Sequence, residues 1–158
     1  DPFDALFDLL AAEGGTPGMI DTIASEEDIA EILKAPFSSA ISDATYPGTG
    51  LLHPRVTGMT AELLRRFVRE RRDLTLEEAV NRLPLRPAER YGLAGKGRIA
   101  VGADADLCLF DPEGFRPVGT YADPRRAAAG MDWVFVGGRP VLREGRRTGE
   151  RPGGVLRR

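Results

Sequence analysis

Two short apolar segments in the first 43 residues constrain the fold of this chain more than any other feature. Asp1-Pro2 opens a helix, with Asp as N-cap and Pro at the first helical position, and Phe3, Leu6, Phe7 and Leu10 follow at helical spacing. Gly14-Gly15 ends it, and Gly18-Met19-Ile20 reads as a short strand. Ser25 then caps a second helix with Glu26, Glu27 and Asp28 in its first turn, where acidic groups suit the positive end of the helix dipole. Ile29, Ile32 and Leu33 are its predicted buried stripe, Pro36 closes it, and Ser38-Ser39-Ala40-Ile41-Ser42 reads as a second strand. Helix, strand, helix, strand with short links is the rhythm of an α/β layer with parallel strands. Two such strands do not make a stable sheet, because parallel strands need neighbours and cover on both faces. The rest of the sheet is therefore expected from residues outside this chain. The acidic, Met-free start at Asp1 fits the same expectation, and is unlike a signal peptide.

Further along, residues 44–58 are rich in Pro and Gly and read as a loop, carrying His53-Pro54-Arg55. A helix is predicted from Thr60 to Arg72, with Leu64, Phe67 and Val68 inward. Thr75-Leu76-Glu77-Glu78 is a capping box, and its helix should stop near Pro84. A short helix follows from Pro87 to Gly92. From Gly95 the period changes: 98–102 and 105–110 read as strands. Trp133–Val136 and Arg139–Leu142 form a hairpin across Gly137-Gly138, a favoured two-residue turn. A domain boundary is expected there, giving 1–94 and 95–158.

Of the 22 basic residues only Lys34 and Lys96 are lysine, and seven arginines crowd into residues 139–158. That tail has no interleaved aromatics and no binding motif, so a solvated or surface-packed terminus is expected and not a nucleic-acid partner. No apolar run reaches the about 18 residues of a membrane span, so no membrane partner is expected. Cys108 is the only cysteine, which rules out an internal disulfide and fits a cytoplasmic location. Alternating with Leu107 and Leu109, it reads as a small core side chain.

Asp43 is the first candidate for chemistry, since it stands at the C-terminal end of a short apolar strand and opens a Gly/Pro-rich loop. Capping a turn is the plain alternative. Arg55 could clamp a carboxylate through two parallel bonds, or be a solvated charge, and His53 is the only histidine. A catalytic zinc needs three protein ligands and an open position, and one His with one Cys in no metal-binding pattern cannot supply them. No P-loop, dinucleotide signature or nucleophile elbow occurs.

These residues also carry a resemblance. Ser42-Asp43, His53-Pro54-Arg55, Gly58, Leu76-Glu77-Glu78-Ala79-Val80, Pro87-Ala88 and Leu93 look like the stretch around the last barrel strand of the D-aminoacylases, the N-acyl-D-amino-acid deacylases. Gly97-Arg98-Ile99 with Gly102-Ala103-Asp104-Ala105-Asp106-Leu107 resembles a signature shared widely among amidohydrolases, and the arginine-rich ending Gly145 to Arg158 resembles the deacylase terminus. The resemblance implies the last strands and helices of a (β/α)8 barrel, then the C-terminal share of a small β-sandwich. It implies a zinc-dependent hydrolase of N-acyl-D-amino acids whose zinc ligands lie upstream of Asp1, and so a chain inactive by itself. By the same resemblance Asp43 is the general base, Arg55 holds the substrate carboxylate, and His53 supports the loop. The implied partners are the small-molecule substrate and the upstream part of the same enzyme, with self-association through exposed strand edges.

Ala44 departs from the family's usual Gly, the Asp43–His53 loop is slightly long, and Pro84-Leu85-Arg86 replaces a stretch that usually begins with Thr. The first two bear on substrate preference. Two rival readings stand beside this one: a cyclic-amide hydrolase of dihydroorotase or hydantoinase type, and a non-catalytic β-rich binding or assembly module.

Overall fold

The structure is a computed structural model that describes residues 1–19, 21–45 and 52–156. Helix α1 (Pro2–Ala12) starts where proline and an N-cap dictate: the Asp1 carboxylate accepts the Phe3 amide at 2.8 Å. Its apolar face is largely exposed. Phe3 and Phe7 are 69% and 65% exposed, and no α1 residue is buried. Helix α2 (Glu26–Lys34) is capped by Ser25, whose hydroxyl accepts the Asp28 amide at 3.1 Å. Its buried residues are Ala30 and Leu33, whereas Ile29 and Ile32 are exposed. The predicted stripe is therefore rotated, because only the Ala30–Leu33 side meets the next helices.

Helix α3 (Arg55–Leu63) begins well before the predicted Thr60 and runs on as a π-helical stretch, Leu64–Glu70. Pro54 permits the early start, since it sits at the cap with φ −57°, already helical, and lacks the amide that a first turn leaves unpaired. Helix α4 (Leu76–Val80) follows the capping box as expected: Thr75 Oγ1 accepts the Glu78 amide at 3.2 Å and Glu78 Oε2 accepts the Thr75 amide at 2.8 Å. The chain does not stop at Pro84. It widens into a π-helical turn, Asn81–Leu85, and continues as α5 (Arg86–Tyr91) to Gly92 at φ 66°. A wide turn accommodates a proline that has no amide for the usual bond. Leu63, Leu64, Phe67, Leu74, Ala79 and Phe115 form the core with Ala30 and Leu33.

One buried polar residue, Arg82, ties these parts together. Its guanidinium donates to the carbonyls of Leu33, Lys34 (3.1 Å) and Glu78 (3.0 Å). The first two belong to the last turn of α2, where carbonyls have no partner within the helix. Arg86 continues the seam, donating to the carbonyls of Ala35 (3.3 Å) and Ser38 (3.2 Å), and the Ala40 amide donates to the Arg82 carbonyl at 3.1 Å.

Strands β1 (Leu107–Phe110), β2 (Met131–Val136), β3 (Arg139–Arg143) and β4 (Arg146–Arg147) form an antiparallel sheet in sequence order. The hairpin between β2 and β3 turns at Gly137 and Gly138, with φ of 55° and 75°, the conformation that a tight hairpin turn demands. The Ala105-Asp106-Leu107 segment is tied to this turn: Asp106 Oδ1 accepts the Gly137 amide at 2.7 Å, and Lys96 bridges Asp104 and Asp106. These bonds draw Asp106's carboxyl below its usual range, Lys96 first and the Gly137 amide second.

Three predicted strands are not strands here. Residues 98–100 are irregular and Val101-Gly102 turn, with Ile99 90% exposed. Residues 38–42 pair with no strand among the described residues; nor do 18 and 19, and Ile20 lies outside the described residues. So do residues 46–51 of the predicted loop and the closing Arg157-Arg158. A parallel strand has no ladder without a neighbour, and the described residues provide none. Cys108 is exposed, not a core side chain, because no described residue packs over it closely enough to bury it. No helix among the described residues is long and apolar enough to cross a membrane.

Replacing Arg82 by Met removes three donors and leaves the Lys34 carbonyl without this partner, a loss of about 1–3 kcal/mol. A denaturant titration followed by helix ellipticity should show the midpoint fall accordingly; an unchanged midpoint would show that α2 does not depend on this seam.

Candidate active site

The seam at Arg82 and Arg86 fixes the segment 33–40, and Asp43 stands just beyond it. Asp43 has φ 47°, a left-handed backbone that Asp tolerates better than most residues, and its side chain is exposed. Its Oδ2 lies 3.3 Å from Arg55 Nη2. Arg55 is the first residue of α3, so the start of that helix decides where the guanidinium sits.

His53 secures that start. Pro54 offers no side-chain cap, and the His53 Nδ1 accepts the Arg55 amide at 3.0 Å in its place. With Nδ1 accepting, the neutral ring carries its proton on Nε2. That nitrogen faces the Tyr121 hydroxyl at 3.3 Å, and the two rings meet edge to face with centroids 5.2 Å apart. Burial lowers the His53 pKa from 6.5, and the Arg55 charge lowers it further.

Tyr121 comes from a loop that docks on the first turn of α3. Thr57 donates to the Pro124 carbonyl at 2.9 Å, and a Cβ on Gly58 would lie 3.1 Å from Pro117 Cβ. Beside this contact opens a cavity of about 690 Å³, lined by His53, Arg55 and Tyr121 and by apolar side chains such as Ile41, Leu63 and Phe67. A guanidinium at the edge of an apolar recess can take a ligand carboxylate through paired charge-assisted bonds, and a carboxylate beside it can hold or move a proton.

All three candidates from the sequence thus meet in one place, Asp43 on Arg55 and Arg55 on His53. His53 lies at a helix start, not in a plain loop. Tyr121 was missed: it lies 68 positions from His53, and no local pattern links them. The Thr120–Asp123 turn, with the Asp123 amide on Thr120 Oγ1 at 3.0 Å, was its one trace in the sequence. Among the described residues no group of three His, Cys, Asp or Glu side chains comes together to hold a metal. His53 could not readily join one, since both ring nitrogens already have partners.

The chain belongs to a known class: the amidohydrolase family, whose model matches residues 2–142. It is 38% identical over 140 residues to an N-acyl-D-aspartate deacylase of Alcaligenes xylosoxydans xylosoxydans, covering 88% of this chain and 28% of that protein. A D-aminoacylase of the same organism is 36% identical over 141 residues, covering 89% and 29%. The crystal structure of an N-acyl-D-glutamate deacylase from Bordetella bronchiseptica, complexed with zinc and a phosphonate inhibitor that mimics the tetrahedral intermediate, superposes with a TM-score of 0.70. It is 35% identical and covers 78% of this chain and 27% of that one. The chain thus spans less than a third of the length of these relatives.

The lowered His53 pKa has a consequence for stability. Between that value and 6.5 the unfolded chain binds a proton that the folded chain refuses, so stability rises with pH through this window and levels off above it. Melting temperatures measured across that range should show this slope in the native chain, less of it in His53→Gln. Equal slopes would mean that His53 titrates alike in both states.

Proposed function

We propose that this chain is part of a deacylase that hydrolyses N-acyl-D-amino acids to a carboxylate and a free D-amino acid. The observation that carries the reading is the Asp43–Arg55 pair, whose arginine lines an apolar cavity, in a chain similar to deacylases along most of its length. Residues 1–94 are then the last part of a (β/α)8 barrel and 95–158 a share of a β-sandwich. The exposed faces of α1 and of residues 98–102 support this, being apolar surfaces that more of the same enzyme would cover.

In this mechanism Arg55 binds the substrate's α-carboxylate and so turns from Asp43 to the ligand. The acyl group lies against the apolar cavity wall. Asp43 accepts a proton from the water attacking the amide carbonyl and delivers it to the departing amine nitrogen, which leaves as a neutral amine. The described residues do not make a metal site, so the zinc of the complete enzyme takes its ligands from outside this chain. Cytoplasmic hydrolysis of a small soluble substrate fits the sequence.

In the complete enzyme, Asp43→Asn should lower kcat by about 10²- to 10⁴-fold with little change in KM. Arg55→Ala should raise KM by about 10- to 100-fold. Steady-state kinetics on N-acyl-D-amino acids decides, and an unchanged KM in Arg55→Ala would sink the clamp. Equilibrium dialysis of the 158-residue chain with elemental analysis should find far less than one zinc per chain; a tight equimolar zinc would contradict the ligand assignment.

A further inference from the structure

The contact between His53 and Tyr121 links two parts of the chain that neither helix nor strand connects. The Tyr121 loop is held independently on α3, through Thr57 on the Pro124 carbonyl, Gly58 under Pro117, and Gly119, whose added Cβ would lie 3.1 Å from Thr57 Oγ1. A compact turn shapes the loop itself: the Thr120 amide donates to the Asp123 carbonyl at 3.1 Å, and Pro124 is buried. Its tip presents the Tyr121 hydroxyl 3.3 Å from His53 Nε2.

From there the geometry runs one way. The Arg55 amide can donate to Nδ1 only if that nitrogen is bare, so the ring's proton belongs on Nε2, where Tyr121 Oη accepts it. Each bond requires the other's tautomer. Together with the edge-to-face contact they fix the ring, and the ring fixes the first turn of α3 from which the Arg55 side chain springs. We propose that Tyr121 is a positioning residue for Arg55, acting through His53 and setting how firmly the site grips a carboxylate ligand.

Because Oη accepts from His53, the tyrosine's own proton remains available for a further acceptor at the cavity, which Tyr121 lines. The grip on a carboxylate rests on the deacylase reading; the tautomer lock does not.

The test has two arms. His53 is the sole histidine, so nitrogen-15 and proton NMR of the imidazole in the 158-residue chain reads its tautomer without ambiguity. The Nε2–H form should dominate at neutral pH, and Tyr121→Phe should shift the Nε2–H resonance and admit the other tautomer. An Nδ1–H form in the native chain, or identical spectra in both, would overturn the lock.

In the complete enzyme, Tyr121→Phe should raise KM for an N-acyl-D-amino acid by about 3- to 10-fold while kcat stays within about two-fold. The same change made in a His53→Ala background should add nothing further, since the effect passes through the imidazole. Additive effects, or a loss confined to kcat, would overturn the positioning role. Native enzyme without turnover of N-acyl-D-amino acids would refute the deacylase reading, and the imidazole spectra would still decide the lock.

Discussion

The guanidinium of Arg82, buried against the open end of α2, is the interaction on which the rest of the arrangement depends. The last carbonyls of a helix have no partners of their own, and a buried helix end without donors is costly. Arg82 supplies those donors from the far side of the core and in the same stroke fastens α2 to the α4–α5 arm. Arg86 extends the seam to Ala35 and Ser38, so the segment leading to Asp43 is pinned by backbone and guanidinium bonds although it joins no sheet. Arginine suits this task because its planar fork serves several carbonyls at once, which an ammonium on a flexible stem does less well.

The site is a second consequence of helix-end chemistry. At α2 the unpaired groups are carbonyls and an arginine meets them; at α3 they are amides and His53 meets one of them. A histidine in that role is conditional in a way that Ser or Asp is not. Its ring must stay neutral, and partial burial together with the neighbouring Arg55 charge keeps it so. Asp43 and Arg55 remain exposed and free to exchange partners, while the backbone beside each is held by hydrogen bonds. Mobile charges on a fixed backbone are what binding a small anionic ligand requires.

Much of the local structure was legible in residue order. The Asp1-Pro2 start, the Ser25 cap, the Thr75–Glu78 box and the Gly137-Gly138 hairpin all formed as expected, because each depends on groups within a few positions of one another. Periodicity also identified Leu64 and Phe67 as core. It failed for Ile32 and Cys108, apolar by pattern but exposed, because burial requires a partner surface and not only an amphipathic face. It failed again for 98–102 and 38–42, where apolar runs without a neighbouring strand gained no ladder.

For the site, the sequence by itself determined the chemical inventory: one carboxylate, one guanidinium and one imidazole within a dozen or so positions, together with the family likeness that gave them roles. Tertiary structure decided how they are used. It put Arg55 at a helix start, turned His53 from a loop side chain into the cap of that helix, and brought Tyr121 across from a distant loop to hold it. The reason is range. Capping, turn and periodic signals act within a few residues and are written in order, whereas the Arg82 seam and the His53–Tyr121 contact join positions about 50 and 70 residues apart. Only the folded chain brings such groups together.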